Sequence, residues 1–191
     1  LFRSERLILR PTTLEDFPRW AEFQADPEAT RFIGGPKTPA ETWRIMATVA
    51  GAWSLTGESF FSVLEKTTGR WLGRIGPWRP HGWPGPEVGW SLHPDATGRG
   101  YALEAAAAAI DYAFDVLGWD EVVHTIDLDN TASIRLAERL GSTARGPTRL
   151  PEPFADLPVH LWGQTRADWA RNRLRSEEHT SELQSPMYLV C

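Results

Sequence analysis

The chain has 191 residues, 41% of them hydrophobic, and a formal net charge of −5, which suits one compact domain. Its lone cysteine is Cys191, the last residue, so the body of the chain has no disulfide, thiolate nucleophile or zinc–sulfur site. A mild acidic balance without Lys/Arg clusters excludes a nucleic-acid footprint. No run approaches the roughly 18 apolar residues of a membrane span, and the start lacks a signal-peptide core, so we expect a cytoplasmic protein.

The stretch from Arg175 to Cys191 is set apart from the rest of the chain. Residues 175–185 read RSEEHTSELQS, which resembles one translated frame of a common sequencing adapter; a polar tail is the alternative. We expect a non-native, disordered tail over residues 175–191 and a single domain over residues 1–174. Because the chain begins at Leu1, we also expect the native N-terminus to lie upstream.

The first half of the chain predicts a strand, two helices and a β-hairpin. Thr13 precedes acids at a helix start, as an N-cap does, and Thr38-Pro39 opens a second helix. Gly69 ends a hairpin turn, where glycine makes a positive φ inexpensive. The predicted strands are residues 7–11, 60–64 and 71–75, and the predicted helices are residues 14–26 and 39–55.

The second half predicts strands that alternate with helices. A loop rich in Pro, Gly and Trp covers residues 77–86, and an Ala-rich helix ends at Gly118. The predicted strands are residues 88–92, 122–126 and 159–164, with another near Thr143, and the predicted helices are residues 101–117, 130–140 and 166–174. This order indicates an α+β fold with a sheet of mixed direction.

Residues 96–102, Ala-Thr-Gly-Arg-Gly-Tyr-Ala, join a strand to the longest helix. Unpaired N–H groups and the positive end of the helix dipole meet there, which makes an anion site. Gly98 and Gly100 allow close approach of a pyrophosphate, and Arg99 can add a charge-assisted hydrogen bond. A tight turn without a ligand is the alternative. There is no P-loop lysine, and Leu103 stands where a dinucleotide fold needs a third small residue.

This loop resembles the GNAT superfamily of N-acetyltransferases. The family's Q/R-x-x-G-x-G/A signature matches at Gly100 and Ala102, whereas Thr97 departs from the usual Gln or Arg. The flanks EVGWSLHP and DNTAS also fit, as do RLILRP near the start and WGQTR near residue 164. The resemblance spans residues 1–169. Within the family, the chain is most similar in these motifs to the branch of Rim-type ribosomal-protein N-terminal acetyltransferases.

The resemblance implies the GNAT fold: three layers of α/β/α type, with a mixed, mostly antiparallel sheet of six to seven strands and a splayed central parallel pair. It implies acetyl-CoA as cosubstrate, with pantetheine in the splay between residues 88–92 and 122–126. The implied cosubstrate-binding residues are Trp90 and Leu92 for pantetheine, the backbone of Thr97, Gly98, Arg99, Gly100, Tyr101 and Ala102 for the pyrophosphate, and Asn130.

The implied partner is a primary amine, either a protein N-terminus or a small amine. Trp78, Trp83 and the loop at residues 77–86 are predicted to shape its pocket. We expect no nucleic-acid or membrane partner, and a homodimer is possible. No His/Asp/Glu cluster has metal-ligand spacing, so no metal is expected.

Acetyl transfer to an amine requires an ammonium to lose a proton, an oxyanion to be stabilised and a thiolate to be protonated. Without a body cysteine or a G-x-S-x-G elbow, direct attack in a ternary complex is favoured. The resemblance assigns Glu87 as the base and Ser133 as the thiolate protonator, since the usual tyrosine slot is Ala137. The alternatives are a surface carboxylate at Glu87 and a simple helix cap formed by Asn130 and Ser133.

A non-catalytic acyl-CoA-binding or interaction module with the same fold is the alternative function. Thr97 favours it, and so does Ser142, which stands where the family usually carries Phe. Glu87 and Ser133 argue against it. His124, on a predicted strand, is expected to be a core or cleft-wall residue.

Overall fold

The structure is a computed structural model that describes residues 2–173. It contains one sheet with helices on both faces, and residues 166–173 are helical. The predicted tail at residues 175–191 lies outside the described residues. No helix within residues 2–173 is long and apolar enough to cross a membrane. The elements are β1 (Phe2–Arg3), β2 (Leu7–Arg10), α1 (Phe17–Ala25), α2 (Pro27–Thr30), α3 (Pro39–Thr56), β3 (Phe61–Glu65), β4 (Trp71–Trp78), β5 (Glu87–Leu92), α4 (Tyr101–Asp115), β6 (Glu121–Asp127), α5 (Thr131–Arg139), β7 (Thr143–Pro147) and β8 (Val159–Thr165).

The sheet has the strand order β1-β2-β3-β4-β5-β6-β8-β7. Every neighbouring pair is antiparallel except β5 and β6, which are parallel. The mixed α+β class with a central parallel pair is confirmed, and β7 is the strand expected near Thr143. The sheet has eight strands rather than six to seven, because β1 pairs Phe2 with Leu9. A two-residue strand is too short to carry a periodic pattern.

The two sheet faces bury different sets of side chains, since successive strand residues point to opposite faces. Phe61 and Leu72 pack toward α4, whereas their neighbours Phe60 and Trp71 pack toward α1 and α3. On α4, the alanines that face the sheet are fully buried, and their small side chains let the helix lie close to the strands. These alanines are Ala105, Ala106, Ala109 and Ala113.

The parallel pair separates almost as soon as it forms. Its register contains one pair, Glu87 opposite Val123. In a continuing parallel ladder the next bond would join the N–H of Thr125 to the carbonyl of Val88. Instead, Thr125 N–H donates to Glu87 Oε1 at 3.2 Å, and the Val88 carbonyl accepts from His124 Nδ1 at 2.7 Å. Two side chains therefore satisfy the backbone where the strands part, and the gap opens a groove.

Candidate active site

The open edge of β5 forms one wall of the groove. The carbonyls of Pro86 and Val88 face β6, because they accept from Val123 N–H and from His124. Strand backbone groups alternate in direction, so those of Trp90 and Leu92 face the same side. They have no β6 partner there, because the ladder ends at Glu87. This edge can pair with the amides of an extended chain, as an added strand does.

The glycine loop closes one end of the groove. Gly98 and Gly100 have φ values of 73° and 79°, which only glycine adopts at low cost. Gly100 is the N-cap residue of α4, which has 15 residues and an N-terminus without a side-chain cap. A Cβ built on Gly98 would meet no atom within 4 Å. Thr97 and Ala102 also line this part of the groove, which has a volume of about 480 Å³. The loop thus presents backbone to an anion.

Two side chains of the loop, those of Arg99 and Tyr101, interact with Glu65. Tyr101 is buried, and its hydroxyl donates to Glu65 Oε1 at 2.5 Å. The Arg99 guanidinium lies 3.5 Å from the same carboxylate and is absent from the groove lining. Arg6 braces the loop by donating to the Arg99 carbonyl at 3.0 Å. In this arrangement the loop offers the groove its backbone rather than the guanidinium of Arg99.

Helix α5 forms the opposite wall. Asn130 Oδ1 caps it by accepting from Ser133 N–H at 3.1 Å. Ser133 Oγ accepts from Trp90 Nε1 at 3.1 Å, across the groove from β5. Among residues 2–173 this hydroxyl donates to no acceptor, so its proton is available to the groove. Arg135 and Arg139 line the same wall. The motifs in the sequence did not indicate these two arginines, although their i,i+4 spacing on a helix places them on one face.

A second cavity of about 300 Å³ continues from the splay to the other side of the sheet. Glu87 lies in its wall and is only 7% exposed, so it is not the surface carboxylate that the sequence left as an alternative. Its two oxygens accept from Trp83 Nε1, Thr125 N–H and Thr125 Oγ1. Trp78 and Trp83 also line the cavity, together with residues far along the chain: Phe32, Ile33, Leu150, Phe154 and Leu157.

The environment of Glu87 changes its acidity. Burial raises the pKa of this carboxyl from 4.5 to about 7, against the opposing effect of its hydrogen bonds and of the Arg74 charge. A carboxyl with a pKa near neutrality is suited to exchange protons with an amine under physiological conditions. Among residues 2–173, no three His, Cys, Asp or Glu side chains lie together in a way that could hold a metal ion.

His124 is a neutral structural residue. Its Nδ1 must carry the proton, because its partner is the Val88 carbonyl, and its Nε2 then accepts from Ser142 Oγ at 3.0 Å. Gln164 Nε2 donates to the same hydroxyl at 3.0 Å. Burial lowers the pKa of His124 to about 4. Ser142, which replaces the usual Phe, therefore belongs to the chain of hydrogen bonds that holds β5 and β6 apart.

Comparison with known families supplies the identification. The sequence model described as "Acetyltransferase (GNAT) domain" matches residues 6–143. The chain belongs to the GNAT acetyltransferases. Membership of this family implies transfer of an acetyl group from acetyl-CoA.

Individual proteins and solved structures are similar to this chain. N-acetyltransferase p20 of Bacillus licheniformis, whose role is uncharacterised, is 32% identical over 76% of this chain and 84% of its own length. The structure of an acetyltransferase from Agrobacterium tumefaciens is 32% identical, with a TM-score of 0.77 over 86% of this chain and 94% of that one. Spermidine N-acetyltransferase from Vibrio cholerae, solved with CoA and spermine, shares the fold at 15% identity and a TM-score of 0.67, over 86% of this chain and 98% of that one.

Proposed function

We propose that this protein transfers an acetyl group from acetyl-CoA directly to a primary amine. The observation that carries the proposal is the meeting of two spaces at the splay: the groove with the glycine loop on one side and the cavity with Glu87 on the other. Trp90 and Ser133 line both spaces. A cosubstrate in the groove and an amine in the cavity would thus meet between β5 and β6.

The proton path follows from the groups at this junction. Glu87 accepts the proton of the bound ammonium, which frees the nitrogen lone pair to attack the acetyl carbonyl carbon. As the C–N bond forms and the C–S bond breaks, the nitrogen loses its second proton to solvent. Ser133 Oγ–H supplies a proton to the departing thiolate and recovers one from solvent. Trp90 Nε1 stabilises the serine oxygen while it carries negative charge, because it already donates to that oxygen.

Pantetheine and pyrophosphate binding fall to the backbone of the groove. Trp90 and Leu92 would pair with the pantetheine amides, and the N–H groups of residues 97–102 with the pyrophosphate. Asn130 lies at the junction of the groove and the cavity. Arg135 and Arg139 add positive charge beside the loop, where phosphate oxygens would lie.

The acceptor belongs to one of two classes. The likeness to the Rim-type branch supports a protein N-terminus. The cavity supports a small amine, because Trp78 at the end of β4, Trp83 and residues from the 150–157 segment enclose it. A non-catalytic module would bind acetyl-CoA with the same groove, but binding alone does not require a carboxyl whose pKa is near 7 in the cavity.

Calorimetry with acetyl-CoA, followed by thiol release in the presence of an amine panel, tests the proposal. The panel should contain small amines, amino acids and peptides with free N-termini. We expect binding and amine-dependent thiol release. Binding without turnover on any amine would favour the module, and a failure to bind acetyl-CoA would contradict the assignment of the groove.

Two glycine variants test whether the loop carries the binding. Gly98 and Gly146 both have positive φ, and at both a Cβ would meet no atom within 4 Å. Substitution with alanine should cost each about 1 kcal/mol of folding stability. We expect Gly98→Ala to weaken acetyl-CoA binding about tenfold, because its methyl group occupies the anion cradle, and Gly146→Ala to bind as the wild type does. Equal affinities would show that the pyrophosphate lies elsewhere.

Ser133→Ala tests the thiolate protonator. We expect kcat to fall about tenfold or more, with little change in the acetyl-CoA Kd, because general acid catalysis acts in the transition state. Thr131→Ala is the matched control, since Thr131 is an exposed hydroxyl residue in the first turn of the same helix. An effect of Ser133→Ala on Kd alone would leave the residue with a structural role.

A further inference from the structure

Arg74 is the one cationic side chain of β4, and it lies in the wall of the second cavity, in which the amine acceptor is proposed to bind. It lies between Ser62 of β3 and Ser91 of β5, at the middle of the sheet. Its guanidinium carbon is 4.5 Å from the ring centre of Phe60 and 5.8 Å from that of Trp20. Two aromatic rings thus hold the group in one place while leaving it in contact with the cavity.

No oxygen within residues 2–173 accepts a hydrogen bond from the Arg74 guanidinium, and its Nε is buried without a partner. The partly buried Arg10 provides the contrast, because it makes two hydrogen bonds to Asp16, at 2.7 and 2.8 Å. Burial lowers the pKa of Arg74 to about 10, so the group still carries its charge at neutral pH. A partly desolvated guanidinium without an oxygen acceptor destabilises the folded protein unless an anion binds to it and accepts its hydrogen bonds.

The nearby carboxylate does not fill this role. Glu87 interacts with Arg74 through its charge, but its oxygens already accept from Trp83 and Thr125. Asp127 also lines the cavity and accepts from Asp129 N–H at 2.9 Å. The other cavity cation, Lys37, donates to the Gly34 carbonyl. In the part of the chain that the structure describes, Arg74 is therefore the cavity cation without an oxygen partner.

Gln24 gives a second, independent sign of a polar ligand. It lines the same cavity and is 2% exposed. Its Oε1 is buried and has no hydrogen-bond partner among the described residues. A cavity otherwise rich in aromatic and aliphatic side chains thus contains a donor and an acceptor that no group within residues 2–173 pairs with. Such convergent polar groups fix the orientation of a small ligand.

We propose that the acceptor is a small zwitterion, an amino acid or a similar amine, whose carboxylate binds the Arg74 guanidinium while its amine faces Glu87. The planar guanidinium can hold a carboxylate through two parallel hydrogen bonds. This inference rests on the proposed acetyl transfer and specifies its substrate class. It favours a free small molecule over a peptide N-terminus, whose first carboxyl group is part of an amide.

The test compares each amino acid with its amide and with the amine that lacks the carboxyl group. For the wild type we expect kcat/KM for the acid to exceed that for the amide by at least about tenfold, the effect of one charge-assisted pair. Arg74→Met should bring this ratio close to one, and Arg74→Lys should keep part of it. Methionine retains apolar contact with Phe60. Arg79→Met, which removes an exposed arginine paired with Glu58, should keep the wild-type ratio.

The same comparison by calorimetry, with CoA present and no turnover, separates this inference from the proposed reaction. If the acid binds more tightly than the amide in calorimetry, but neither is acetylated in the kinetic assay with acetyl-CoA, the result would contradict the reaction and support the zwitterion site. Acetyl transfer to the amides and to the amines without a carboxyl group, as readily as to the amino acids, would contradict the zwitterion site and support the reaction. A preference for the acid that survives in Arg74→Met would also overturn it.

Discussion

Glu87→Gln is expected to lower kcat/KM about 100- to 1000-fold at pH 8, which lies within the range for loss of a general base. Only the deprotonated carboxyl can accept a proton, and burial raises its pKa to about 7. The wild-type kcat/KM should therefore fall about tenfold for each pH unit below that value and level off above it. In the variant this step disappears, and the remaining rate should rise with pH only as the free amine becomes available.

The measurement is a profile of kcat/KM between pH 5 and 9 for both forms, with the best acceptor from the panel. Glu58→Gln is a suitable control, because Glu58 is also a buried carboxyl but pairs with Arg79 outside the two cavities. It should keep the wild-type inflection. An inflection near pH 7 that persists in Glu87→Gln would remove Glu87 from the role of base.

The same substitution is expected to stabilise the fold at alkaline pH. A carboxyl whose pKa is 4.5 when exposed and about 7 when buried binds more protons in the folded state between those values. The free energy of unfolding therefore falls as the pH rises from about 4.5 to 7, and the loss remains above that range. At about 1.4 kcal/mol for each pKa unit, and less the weaker hydrogen bonds of an amide, we expect Glu87→Gln to gain about 2 to 3 kcal/mol at pH 8.

Thermal unfolding at pH 4 and pH 8 checks this expectation. For a chain of this size the gain corresponds to a rise in Tm of roughly 5 to 10 °C at pH 8, with no gain at pH 4. Glu138→Gln, which removes an exposed carboxyl from α5, should leave Tm nearly unchanged at both values. A Tm for Glu87→Gln that is equal to or below the wild-type value at pH 8 would mean that the folded protein does not disfavour the charged carboxylate.

Local sequence signals predicted most elements because their causes are local. The 3₁₀ turn after Thr13, which leads into α1, the helix start at Thr38, the hairpin at Gly69 and the helix stop at Gly118 all depend on residues within one turn of each other. β4 was different: it continues to Trp78, three residues past the predicted end. Its Pro77 pairs with Val88 in the register, so tertiary pairing outweighed the proline signal.

The sequence by itself identified the glycine loop at the start of α4, the residues that follow β6 and the strand that begins at Glu87, because each is a short contiguous pattern with a direct physical meaning. Only the tertiary structure decided how deeply Glu87 is buried and that Arg74 has no oxygen partner within residues 2–173. Both properties depend on groups far apart in the chain, from Trp20 to Thr125. Burial, and with it the pKa of a carboxyl or the isolation of a guanidinium, results from three-dimensional packing that no local pattern records.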